Sequence, residues 1–247
     1  MKGAETGLLF LSPFAKPNRM IRKNWWKILA YLSLLCICTA GFLVKVPVLE
    51  GRLQESIRNT FFHVPMWFGM MIFYVVSVVY SIKYLSSPKS TNDYNALEFA
   101  RAGTVYCILG LITGAVWATY QWGDPSIWKT DAKLIGAAIS LLIYLAYFVL
   151  RGSIVDPDNR AKIGAVYNIF AFAMLFPTIW ILPRMTESLH PGGQGANGNP
   201  GLNPNDSAPV ITAFLWIGVL GWTLTGVWIA NLRVRLHLII EKRLNNG

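Results

Sequence analysis

Two histidines in this 247-residue chain could do coordination chemistry, and an aromatic-rich stretch lies between them. His63 belongs to Arg58-Asn59-Thr60-Phe61-Phe62-His63-Val64-Pro65-Met66-Trp67, where a spacing of four puts His63 and Trp67 on one helix face. Pro65 is tolerated there because the N–H groups of a helix's first turn have no intrahelical partner. His190 stands in Ser188-Leu189-His190-Pro191, ahead of a stretch containing Gly192, Gly193, Gly195, Gly198 and Gly201. The stretch from Trp117 to Lys133 holds four aromatics (Trp117, Tyr120, Trp122, Trp128), the acids Asp124 and Asp131, and the lysines Lys129 and Lys133 within 17 residues. Indole faces bordered by cations suit a planar, amphipathic dianion, whose face stacks on the rings while Arg or Lys neutralises its carboxylates. Haem has that shape and charge, and neutral imidazoles commonly ligate its iron.

Helices long enough to cross a bilayer must position these groups. A membrane-spanning helix needs about 17 to 25 apolar residues with hardly any charge, and six charge-free runs meet that need: 28–44, 59–82, 102–123, 134–150, 163–183 and 207–232. The uncharged stretch 188–205 is rich in Gly, Asn and Pro and reads as a loop. The segments between the runs are too short to bury a soluble core. The chain is therefore expected to be all-α, a single membrane domain (1–247) of six transmembrane helices in the lipid bilayer. Its net charge of +10 would suggest nucleic acid in a soluble protein, but here the placement of the basic residues carries the information. Segments 1–27, 83–101, 151–162 and 233–247 hold 16 Lys and Arg, whereas 45–58, 124–133 and 184–206 hold 6. The positive-inside rule then puts both termini in the cytoplasm and His63, His190 and the loop 117–133 on the outer face, with no nucleic-acid partner. The first basic segment resembles a signal-peptide n-region without a clear cleavage site, which predicts a retained anchor.

The six cores lack Asp, Glu, Lys and Arg, which argues against ion pumps, intramembrane aspartyl proteases and zinc-dependent His-Glu-x-x-His proteases. No catalytic constellation or nucleotide-binding loop occurs, so the chain reads as a non-enzyme whose ATP dependence, if any, comes from a partner. Cys36, Cys38 and Cys107 fall inside spans and read as small apolar side chains; there is no Cys-x-x-Cys-His haem attachment site. His237, among Arg233, Arg235, Lys242 and Arg243, reads as part of an inner-face anchoring patch. Plainer readings of the outer-face groups stay open. A lone interfacial His is commonly a hydrogen-bonded anchor, and Trp and Tyr are enriched at membrane interfaces. A b-type cytochrome or other electron-transfer subunit would use His pairs near both faces. A small-molecule permease or assembly subunit would use these residues as interface anchors, and Met66, Met70 and Met71 would suit Cu(I).

The ordered trio Arg58…His63-Val64-Pro65, Trp122-Gly123…Trp128…Asp131-Ala132-Lys133 and Ser188-Leu189-His190-Pro191 resembles the haem exporter protein C (CcmC) family of cytochrome c maturation. That family belongs to a wider group marked by a "WWD" loop, and the likeness runs from about residue 24 to 235. The resemblance implies a multi-pass protein of the bacterial inner membrane, with His63 and His190 as axial ligands to the iron of transiently, non-covalently held haem b on the periplasmic side. Arg58, Trp67, Trp117, Trp122, Gly123, Trp128, Asp131 and Lys133 would complete the haem site. It also implies delivery to the haem chaperone CcmE and association with the ATP-dependent transporter subunits CcmA and CcmB and the small CcmD. Here Pro125-Ser126 stands where the family has a Trp pair, Lys129-Thr130 separates Trp128 from Asp131, and Lys133 stands where Arg is usual. A lysine can neutralise a propionate, but without the bidentate fork of Arg.

Overall fold

The computed structural model describes residues 19–46, 53–124, 126–186 and 208–246. Six helices long and apolar enough to cross a membrane dominate it, and the described residues form no strand. We label them α1 (Arg19–Leu43), α2 (Thr60–Ser86), α3 (Ser90–Trp122), α4 (Ala132–Ser153), α5 (Pro157–Met185) and α6 (Pro209–Asn246). A short turn, Leu53–Ser56, and a 3-10 turn, Ile57–Asn59, lead into α2. Several helices outrun the charge-free segments because charge placed beyond the hydrocarbon does not stop a helix; α3 begins twelve residues before its charged-residue-free part with Asp93, Glu98 and Arg101 inside it. The helix ends follow local chemistry. Gly123 closes α3 with φ 72°, a left-handed conformation open to glycine, and donates its N–H to the Thr119 carbonyl at 2.9 Å. Asp156 caps α5 by accepting the Asn159 N–H at 2.8 Å, with Pro157 in the first turn. In α5 the missing N–H of Pro177 interrupts the regular ladder, and Phe176–Ile181 winds as a π-helix.

α2 and α3 form the most extensive helix pair, antiparallel, with α6 against both, α1 against α6, and α5 against α2 and α4. The α2–α3 contact is a series of large side chains set into glycine notches. Tyr74 fills the space at Gly103, Trp67 that at Gly110 and His63 that at Gly114. As the α2 residue number falls, the α3 number rises by the same step, so the register of the pair fixes how deep His63 sits. Lipid supplies no hydrophobic drive between helices, and close approach at small residues supplies dispersion contact instead. The same logic presses α5 onto α4, where a Cβ at Gly136 would collide with the Thr178 carbonyl. Apolar side chains such as Val116, Leu142 and Val149 cover the outside.

The interior carries polar groups that hold helices together. Tyr74 stacks on Tyr144 at 3.6 Å and its hydroxyl meets Thr104 Oγ1 at 3.2 Å. Asn168 donates to Ser77 and Ser81 at 2.7 and 2.8 Å, joining α5 to α2. At the end of the bundle away from His63, Arg151 pairs with Asp93, while Arg101 and Arg233 pair with the buried Glu98. His237 differs from its expected role as a surface anchor: its Nε2 lies 2.8 Å from Glu98 Oε1 and its ring stacks on Tyr94. A buried carboxylate requires partners, and sequence charge counting could not tell that three basic groups of α3 and α6 share one. Cys107 is buried, as its apolar reading expects, while Cys36 is half-buried and Cys38 exposed.

Candidate functional site

The α1 C-terminus, the starts of α2, α4 and α6, and the ends of α3 and α5 lie at one end of this antiparallel arrangement. His63 is in the first turn of α2 and points at α3. Its Nδ1 lies 3.0 Å from Thr113 Oγ1, and Trp67 donates its indole N–H to Nε2 at 3.1 Å. His63 and Trp67 thus share one face, as their spacing expects. Gly114 makes the seat: a Cβ there would come within 2.7 Å of His63 Cε1. Thr113, Gly114 and Gly110 were not singled out as candidates from the sequence. The signal that could have found them is Gly110-x-x-x-Gly114, the small-residue spacing that lets membrane helices approach closely.

Trp117 follows Thr113 by one turn and lies on the same face of α3. It meets Trp122 edge-to-face, with ring centroids 5.3 Å apart and planes at 86°. The imidazole is therefore held about 13 Å short of the α3 end, nine residues at about 1.5 Å each, with two half-buried indoles between it and Gly123. Ser56 donates to Gln121 Oε1 at 3.4 Å, tying the segment before α2 to this end of α3.

Arg58 is largely buried at this end, donating to Glu55 Oε2 at 2.7 Å and to the Gly41 carbonyl at 2.6 Å. Two of its nitrogens tie the α2 entrance to the end of α1. Asp124 accepts from the Ser126 N–H at 2.7 Å and hydroxyl at 2.8 Å, and these donors hold its carboxyl below the usual carboxylate range. Trp128 lies in the 3-10 turn Ile127–Lys129. Asp131 is buried and caps α4, accepting from the N–H groups of Lys133 at 2.9 Å and Leu134 at 3.2 Å. Its carboxylate thus orients the start of the helix that carries Lys133, which has Asp131 and Arg184 as charged neighbours. The structure brings His63, Trp67, Trp117, Trp122, Gly123, Asp131, Lys133 and Arg58 to one end of the bundle; His190 lies outside the described residues, as does the glycine-rich stretch after it.

A seat this tight has a measurable consequence. On the expectation that His63 ligates haem iron, Gly114→Ala should push the imidazole off Thr113 and weaken haem binding about tenfold, the order seen for lost support around a metal ligand. Gly152→Ala, where an added Cβ meets nothing within 4 Å, is the control that should leave binding unchanged. Equal haem titrations for the two variants would show that the seat does not position His63.

Comparison with known proteins identifies the family. The model of the family CcmC, heme exporter protein C, matches residues 10–246. Heme exporter protein C of Haemophilus influenzae is 25% identical over 243 residues, covering 94% of this chain and 93% of its own. The Paracoccus denitrificans protein of the same name is 26% identical, covering 62% and 61%. The cytochrome c biogenesis protein CcsA of Carica papaya is 26% identical over 62% of this chain and 48% of its own length. With a family match over nearly its whole length and six membrane-spanning helices, the chain belongs to the heme exporter protein C family, multi-pass membrane proteins of cytochrome c biogenesis.

Proposed function

We propose that this protein holds haem at the outer, periplasmic face of the bacterial inner membrane and delivers it to the haem chaperone CcmE. The observation that carries this reading is His63, a half-buried imidazole set against Thr113 and Gly114, one turn below Trp117, which in turn packs on Trp122. Its donor set fits haem iron: a neutral imidazole nitrogen beside indole faces, with cationic Arg58 and Lys133 at the same end. His63 and His190 are the two axial ligands. Trp117, Trp122 and Trp128 shield the macrocycle, Trp67 completes the site beside His63, and Arg58 and Lys133 meet the propionates. Gly123 and Asp131 shape the loop between α3 and α4. Haem b is bound without a covalent link and only in transit. The concentration of Lys and Arg in alternate segments supports cytoplasmic termini, and the family supports partnership with CcmA, CcmB and CcmD. The role is transport and delivery rather than catalysis.

Transfer tests the reading directly. The purified complex with the chaperone should load haem covalently onto the chaperone, and Trp122→Ala or His190→Ala should lower that loading about tenfold or more, as loss of direct contacts to a bound group does. Loading that is unchanged in both variants would show that haem reaches the chaperone by another route.

A further inference from the structure

The hydrogen bonds around His63 select one tautomer. Thr113 has a single hydroxyl hydrogen, and the Leu109 and Gly110 carbonyls, 2.7 and 3.2 Å from Oγ1, are both placed to accept it. Oγ1 therefore meets His63 as an acceptor, and Nδ1, 3.0 Å away, carries the proton. On the other side of the ring the Trp67 indole nitrogen can only donate, so Nε2, at 3.1 Å, presents its lone pair. The two contacts stand on different helices and select the same form, with Nδ1 protonated and Nε2 an acceptor. The glycines complete the arrangement. Gly110 leaves room for the Trp67 ring, whose Cε2 lies 3.0 Å from where a Cβ would stand, and Gly114 leaves room for the imidazole.

Resting on the reading of His63 as an iron ligand, we propose that Thr113 is a positioning residue that fixes Nε2 as the ligating nitrogen, and that Trp67 is a removable cap whose N–H competes with iron for that lone pair. One lone pair cannot serve an indole N–H and a metal at once. Coordination at Nε2 breaks the Trp67 hydrogen bond, and release restores it, so the cap lowers the cost of giving haem up. A protein that passes its cargo on needs that reversibility. The two residues consequently act in opposite directions: Thr113 strengthens the Nε2–iron bond by holding the ring and its proton, as outer-shell partners of a ligating His do, and Trp67 weakens it by supplying an alternative partner.

Haem titration of the full-length protein, followed in the Soret region, separates these roles. Thr113→Val keeps the shape and removes the acceptor, and should weaken binding at least about tenfold; Thr113→Ser, which restores a hydroxyl, should lie within about twofold of wild type. Trp67→Phe keeps a ring and removes the N–H, and should tighten binding about fivefold, the effect of deleting one competing hydrogen bond. His63→Ala is measured alongside. If it is silent, the ligand reading fails and this inference with it. If it weakens binding while Thr113→Val and Trp67→Phe are both silent or both weaken it, the ligand reading stands and the tautomer-and-cap inference is overturned. A measurement free of haem guards against misfolded variants: in protein labelled with 15N at histidine, the signals absent from His63→Ala should report a protonated Nδ1 and an accepting Nε2. The opposite tautomer would overturn the inference.

Discussion

His63→Ala should abolish six-coordinate haem binding, with affinity falling by more than about 100-fold, beyond the 10- to 100-fold that losing an outer-shell partner costs. The magnitude follows from geometry. The imidazole is anchored on two helices at once, through Thr113 of α3 and Trp67 of its own helix, so no neighbouring side chain can take its place without repacking the Gly114 notch. Alanine leaves that notch open beside apolar surface and takes away the only imidazole among the described residues at this end of the bundle. His190→Ala should act on the same spectrum, because a five-coordinate haem differs from a six-coordinate one in its Soret band whichever ligand is lost. Supplying imidazole in solution should partly restore the His63→Ala spectrum, since the cavity left has the shape of the missing ring. Spectra like wild type for both variants would remove the two histidines from the iron.

The sequence made the six helices legible for a simple reason: hydrocarbon tolerates almost no charge, so spans appear as gaps between charged residues. The grouping of His63 with the Trp117–Lys133 stretch was also legible, because it needs only the number of crossings between them. What was not legible was the partner of each group. Asp131 reads from the sequence only as a member of the haem site, and it is the distances to the Lys133 and Leu134 N–H groups that show it capping α4. Arg58 reads as a cation at the outer face, yet its contacts with Glu55 and Gly41 depend on how α1 packs. Thr113 has no chemistry of its own to draw notice; it matters because the α2–α3 register sets it opposite His63. The interior polar groups, Ser77, Ser81 and Asn168, were likewise hidden, since uncharged side chains do not interrupt a hydropathy run.

Asp93→Ala is the substitution expected to cost most in stability. Asp93 and Arg151 pair between α3 and α4 with side-chain exposures of 11% and 8%, and Gly164 of α5 provides the space into which the guanidinium fits, 2.7 Å from where a Cβ would stand. Removing the carboxylate leaves a buried, uncompensated cation, a loss of about 3–5 kcal/mol, whereas replacing both partners by apolar residues of similar volume is often near neutral. Heating detergent-solubilised protein and measuring the fraction that remains monodisperse should therefore rank Asp93→Ala and Arg151→Ala well below wild type, and the double substitution Asp93→Leu with Arg151→Met close to it. The pair lies 20 residues along α3 from Thr113, about 30 Å at 1.5 Å per residue. Haem affinity of the double variant at low temperature should accordingly stay within about twofold of wild type, since sites so far apart with no shared partner are usually independent. A double variant as unstable as the singles would show that the charges themselves, and not the cost of stranding one of them, hold this end of the bundle together.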